Sequence, residues 1–126
     1  MTDVEVRLTQ VLGAWATGSV LLGAGLCVPA ATRAFGRQTA AWGAVDGLIA
    51  YVGSRNRARR GPTEPVRLRR VLLVNAGLDV GYLAAGARLL QRPRWRGDGL
   101  AVLVQGAFLL VLDTAAAWAL RPGRLG

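Results

Sequence analysis

Leu8 to Thr32 reads LTQVLGAWATGSVLLGAGLCVPAAT, 25 residues without one charged side chain. A helix in water carries polar residues on its outer face every three or four positions. Here Leu, Val, Ala and Gly fill those positions, so the helix is apolar all round and its solvent is lipid or other protein. Strands fit poorly: apolar and polar residues do not alternate, and Ala, Leu and Gly outnumber β-branched residues. A bilayer core about 30 Å thick takes roughly 20 helical residues at about 1.5 Å each, and this run is long enough.

Three further stretches repeat the pattern. Gln38 to Ser54 has Asp46 as its only charge, Val71 to Ala87 has only Asp79, and Gly99 to Leu120 has only Asp113. The sequence therefore predicts an all-α polytopic membrane protein. It is expected to form one domain, an antiparallel four-transmembrane-helix bundle with spans at 9–31, 38–54, 69–90 and 99–120. The second and third spans are short, and gain length from flanking residues or sit in thinned lipid. The leader carries Asp3 and Glu5, unlike the positive start of a signal peptide, so the first helix is expected to be retained.

The connections are expected to be short and polar. Pro29 bends or ends the first helix, and Arg33–Arg37 joins it to the second. Ser54–Arg70 is the longest loop, broken by Gly61, Pro62 and Pro65. Gln91–Asp98 joins the last two helices through Pro93, and Arg121 and Pro122 close the fourth.

All 16 basic residues are Arg, against seven acids, for a net charge of +9 over 126 residues. A GC-rich bacterial genome accounts for the missing lysines. With both termini cytoplasmic, ten arginines fall inside: Arg7, seven in the 54–70 loop, Arg121 and Arg124. Six fall outside: Arg33, Arg37, Arg88, Arg92, Arg94 and Arg96. The positive-inside rule favours that orientation in a bacterial inner membrane. The 54–70 loop is expected to meet anionic lipid headgroups, and no nucleic acid is expected.

The counts exclude several chemistries. Without His there is no Ser-His-Asp or Cys-His catalysis and no imidazole metal site. With Cys27 alone there is no internal disulfide and no thiolate zinc or iron–sulfur centre. No metal and no cofactor is expected. Cys27 sits in an apolar run with no base beside it, which fits a structural role.

The informative residues are the acids that should not be in lipid, where a mid-bilayer charge costs about 2.5–3.5 kcal/mol. Trp42 and Asp46 are four apart on the second helix; Asn75 and Asp79 are four apart on the third, with Tyr82 three further on. Each pair shares a helix face. Gln105 and Asp113 are eight apart on the fourth, within one quadrant at about 100° per residue. Matched depths put Asn75 level with Asp113, and Tyr82 level with Gln105. One polar cluster inside the bundle is expected: Asp46, Asn75, Asp79, Tyr82, Gln105 and Asp113, with Trp42 beside it. Gly43-x-x-x-Gly47 and Gly77-x-x-x-Gly81 bracket two of the acids and are expected to pack inside the bundle rather than form a dimer face. Trp15, Trp42, Trp95 and Trp118 suit an interfacial belt.

Ala41-Trp42-Gly43-Ala44-Val45-Asp46, Asn75-Ala76-Gly77-Leu78-Asp79-Val80-Gly81-Tyr82, and the run from Gln105-Gly106-Ala107-Phe108 to Asp113 resemble the signatures of an uncharacterised family of small bacterial four-helix inner-membrane proteins. The resemblance implies a four-span bundle and no particular activity. Small multidrug resistance exporters share size and a membrane carboxylate, but theirs lies in the first helix, where the span here has no acid. Fluoride channels share length and span count, but their Phe-Ser-Thr-Phe type stretch is absent.

The leading expectation is a small integral membrane protein that binds or transports a proton, a cation or a small amphiphilic ligand at its aspartates. The alternatives are a membrane-embedded enzyme using acid/base catalysis on a lipid or isoprenoid, and a structural accessory subunit whose acids hold helices together. Four thin helices enclose little space alone, so a homo-oligomer is expected.

Overall fold

The computed structural model describes residues 2–61 and 63–121. Pro62 and Pro122, with their expected breaker roles, and Arg124, with its share of the charge asymmetry, lie outside the described residues. Four helices follow in order: α1 (Thr2–Leu26), α2 (Arg33–Arg60), α3 (Pro65–Leu90) and α4 (Arg96–Ala119). Short 3₁₀ turns at Ala30–Thr32 and Pro93–Trp95 lie before α2 and α4. Among the described residues there is no strand.

The chain leaves α1 three residues before Pro29, which is extended at φ −72° and ψ 138°. The carbonyls freed at that end find donors: the Thr32 hydroxyl donates to Leu26 O at 2.7 Å, and Arg33 Nε to Cys27 O at 3.1 Å. Arg33–Arg37, expected as a connection, is instead the start of α2.

The long 54–70 loop is likewise mostly helix. Arg is a good helix former, and Arg57, Arg59 and Arg60 in the last turn of α2 complement its dipole. Gly61 ends α2 at φ 81°, a conformation L side chains resist, and its N–H donates to Arg57 O at 2.8 Å. Pro65 starts α3 instead of breaking it, because the first helical position needs no N–H partner. At 28 and 26 residues, α2 and α3 are each roughly 40 Å long at about 1.5 Å per residue.

Glycines set the packing. A Cβ on Gly36 would fall 2.6 Å from Gly23 O, and one on Gly43 would fall 2.9 Å from Ala16 O. A Cβ on Gly99 would lie 2.6 Å from Leu90 N. These approaches pair α1 with α2, and α3 with α4, as two antiparallel hairpins. The hairpins meet mainly through α2 and α4, while the backbones of α2 and α3, although consecutive in the chain, hardly approach each other. Gly77 and Gly81 have no atom within 4 Å of a would-be Cβ, so that motif packs against nothing in the bundle, contrary to expectation.

At one end Leu72, Ala116, Ala117 and Leu120 form a buried cluster, with Val4, Leu8 and Leu68 against it. Elsewhere the usual distribution is inverted. Leu21, Leu48, Ile49, Val74, Val80 and Val111 are each more than half exposed. Ser19, Thr39, Asp46, Asp79, Gln105 and Asp113 are buried. Among the described residues, one helical stretch, Pro93–Ala119, is long and apolar enough to cross a membrane. In α1, Thr9, Gln10, Thr17, Ser19 and the glycines dilute the hydropathy.

Candidate functional site

Each acid sits on the inward stripe of its helix. On α2 the stripe is Gly36, Thr39, Gly43, Asp46 and Ala50, spaced by three or four. On α3 it is Leu72, Asp79 and Gly86, every seventh residue. Asp113 shares the buried side of α4 with Ala116 and Ala117. Asp46, Asp79 and Asp113 are 1%, 3% and 8% exposed, so three helices deliver three carboxyls to the interior.

They meet at a cavity of about 210 Å³. At about 30 Å³ per water, that is room for roughly seven waters. Its polar lining is Trp42, Asp46, Asn75, Asp79, Tyr82 and Asp113; the rest is Leu, Val and Ile. No basic side chain lines it. The cavity exists because α2 and α3 stand apart, and exposed Val45, Ile49 and Leu78 form its outer edge.

All three carboxyls, Asp46 from α2, Asp79 from α3 and Asp113 from α4, line this one cavity. Oδ2 of Asp46 and Oδ2 of Asp79 are buried without a hydrogen-bond partner. Trp42 and Tyr82 face each other across the α2–α3 gap, ring centroids 5.1 Å apart and planes at 73°, an edge-to-face pair. Among the described residues no three His, Cys, Asp or Glu side chains gather so as to hold a metal ion.

Gln105 does not join this cluster. Its Oε1 accepts from Trp15 Nε1 at 2.8 Å, and its Nε2 donates to Ser19 Oγ at 3.2 Å. Eight residues at about 100° leave Gln105 and Asp113 about 80° apart, enough to turn one toward α1 and the other toward the cavity. The expected level is kept: a Cβ on Gly106 would lie 3.4 Å from Tyr82 Cβ. Trp15 also stacks on Phe108, centroids 3.9 Å apart. The four-residue spacing of Trp15 and Ser19 was the available signal for this second polar contact. Trp15 and Trp42, both half-buried, make their ring contacts within the bundle. Trp95 and Trp118 are exposed near the two ends of α4, each under an arginine, Arg94 at 5.4 Å and Arg121 at 4.0 Å.

A wider pocket of about 540 Å³ adjoins the cavity, sharing Leu8, Leu12, Ile49 and Asn75 with it. Arg57, Arg60, Arg67, Glu5 and Glu64 surround it. Glu5 ties α1 to the α2–α3 connection, accepting from Thr63 N at 3.0 Å and lying 3.9 Å from Arg57.

No curated protein and no solved structure matches this chain. A family model matches residues 11–114, a stretch that holds all three cavity aspartates and their aromatic neighbours. The chain belongs to that family, described as a family of unknown function (DUF6992).

Proposed function

We propose that this protein is a four-span bundle of the bacterial inner membrane, both termini cytoplasmic, whose acidic cavity binds or transports a proton, a cation or a small amphiphilic ligand. The inverted surface supports the membrane part: large apolar side chains face outward on all four helices while Ser19, Thr39, Asp46, Asp79, Gln105 and Asp113 are buried. A bilayer resolves that inversion, and a self-associated homo-oligomer in the same membrane is compatible with it. In this arrangement the arginines at the α2–α3 connection lie level with anionic headgroups.

The binding part rests on one observation. Asp46 lines an apolar-walled cavity, is 1% exposed, and has an oxygen without a partner. A residue that merely joins helices spends its hydrogen bonds across them, as Gln105 does with Trp15 and Ser19. An unpartnered buried carboxyl is costly unless something binds it.

The test is proton flux into proteoliposomes loaded with a pH-sensitive dye, driven by a potassium diffusion potential. Wild-type protein is expected to carry flux above empty vesicles, and Asp79→Asn to abolish it. Equal flux in wild type, variant and empty vesicles contradicts proton movement through the site.

A further inference from the structure

We infer that the ligand of the acidic cavity is a small organic cation of the ammonium class, held between the Asp46 carboxyl and the rings of Trp42 and Tyr82. The inference deepens the proposed binding reading and rests on it. Three features select this class.

The first is charge. The cavity lining holds three carboxyls and no basic side chain, so its field favours a cation. The second is the aromatic pair. Trp42 stands one helical turn before Asp46 on the same face of α2, and Tyr82 meets it edge to face at 5.1 Å. Aromatic faces attract cations, most strongly in a site shielded from water, and ring clusters beside an acid are a recurrent way of holding alkylated ammonium groups. The third is the apolar wall around these groups. The remaining walls of Leu, Val and Ile suit alkyl groups, and about 210 Å³ admits a head of several heavy atoms.

An ammonium bound this way offsets the charge at the orphaned Oδ2 of Asp46 and covers it with carbon; one that keeps an N–H also donates to that oxygen. The opening between α2 and α3, edged by exposed Val45, Ile49 and Leu78, gives an alkylated cation a route from the side of the bundle.

The experiment is isothermal titration of the detergent-purified full chain with choline, with its neutral carbon isostere 3,3-dimethylbutan-1-ol, and with potassium chloride. Choline is expected to bind saturably and about tenfold tighter than the neutral isostere. Asp46→Asn is expected to remove binding, Trp42→Leu to weaken it about tenfold, and Trp42→Phe to weaken it less than Trp42→Leu. The wild-type comparison stands even where a variant fails to fold. Equal binding of the neutral isostere overturns the cation class and leaves an apolar pocket. Potassium binding without choline binding overturns the organic class while leaving cation binding in place. Absence of binding by all three overturns the inference, and the proton-flux assay then decides the broader reading separately.

Discussion

The indole Nε1 of Trp15 donates to Oε1 of Gln105 at 2.8 Å, joining α1 to α4 across 90 residues of chain. The same amide donates to Ser19 Oγ at 3.2 Å, so one buried side chain satisfies two positions of α1. Gln105→Leu strands the indole N–H. It is expected to lower stability by about 1–3 kcal/mol, read as a drop in the detergent unfolding midpoint. Trp15→Phe keeps an aromatic ring against Phe108 but leaves the buried Oε1 of Gln105 without its donor, so a loss of similar size is expected.

Glycine positions separate into two groups. Gly36 and Gly43 lie where a Cβ would come within 3 Å of the α1 backbone, and backbone has little room to give. Gly36→Ala and Gly43→Ala are each expected to cost about 1–3 kcal/mol or to disrupt the hairpin. Gly77→Ala and Gly81→Ala meet nothing and are expected to be neutral or stabilising by up to about 1 kcal/mol through helix propensity. Thermal unfolding of the four variants in one detergent checks the contrast.

Glu5 accepts the Thr63 N–H at 3.0 Å and approaches Arg57, holding the α2–α3 connection to the start of α1. Glu5→Ala is expected to cost about 1.5–3 kcal/mol, whereas exposed Glu64→Ala is expected to stay within about 0.5 kcal/mol of wild type. Limited proteolysis near Gly61 gives a second readout: cleavage should rise in Glu5→Ala and not in Glu64→Ala.

Orientation has its own test. With both termini cytoplasmic, alkaline phosphatase fused after Gly126 is expected to be inactive and a fluorescent protein at the same position bright. The opposite pattern would reverse the arrangement drawn from the arginines.

The acids of the site were legible because each is a lone charge in a long apolar run, and four-residue spacing put Trp42 with Asp46 and Asn75 with Asp79. Gln105 was misplaced because spacing fixes depth well and azimuth poorly: an 80° turn is enough to change neighbours. The arginines of 54–70 suggested a loop, yet their helix propensity and the single turn at Gly61 let α2 and α3 run through it. The gap between α2 and α3 was invisible, since no local pattern states which antiparallel neighbours separate. It follows from the close glycine contacts that draw each hairpin together instead.

The most direct measurement is electron paramagnetic resonance accessibility in lipid vesicles, with single nitroxides at Leu48, Val80 and Val111 and at Asp46 in a Cys27→Ser background. The three outer positions are expected to relax strongly with oxygen and weakly with a polar nickel chelate, and the Asp46 position to be shielded from oxygen by the bundle. Strong relaxation by the nickel chelate at Leu48, Val80 and Val111 would place those faces in water and contradict a bundle whose oily sides meet lipid while its carboxyls turn inward.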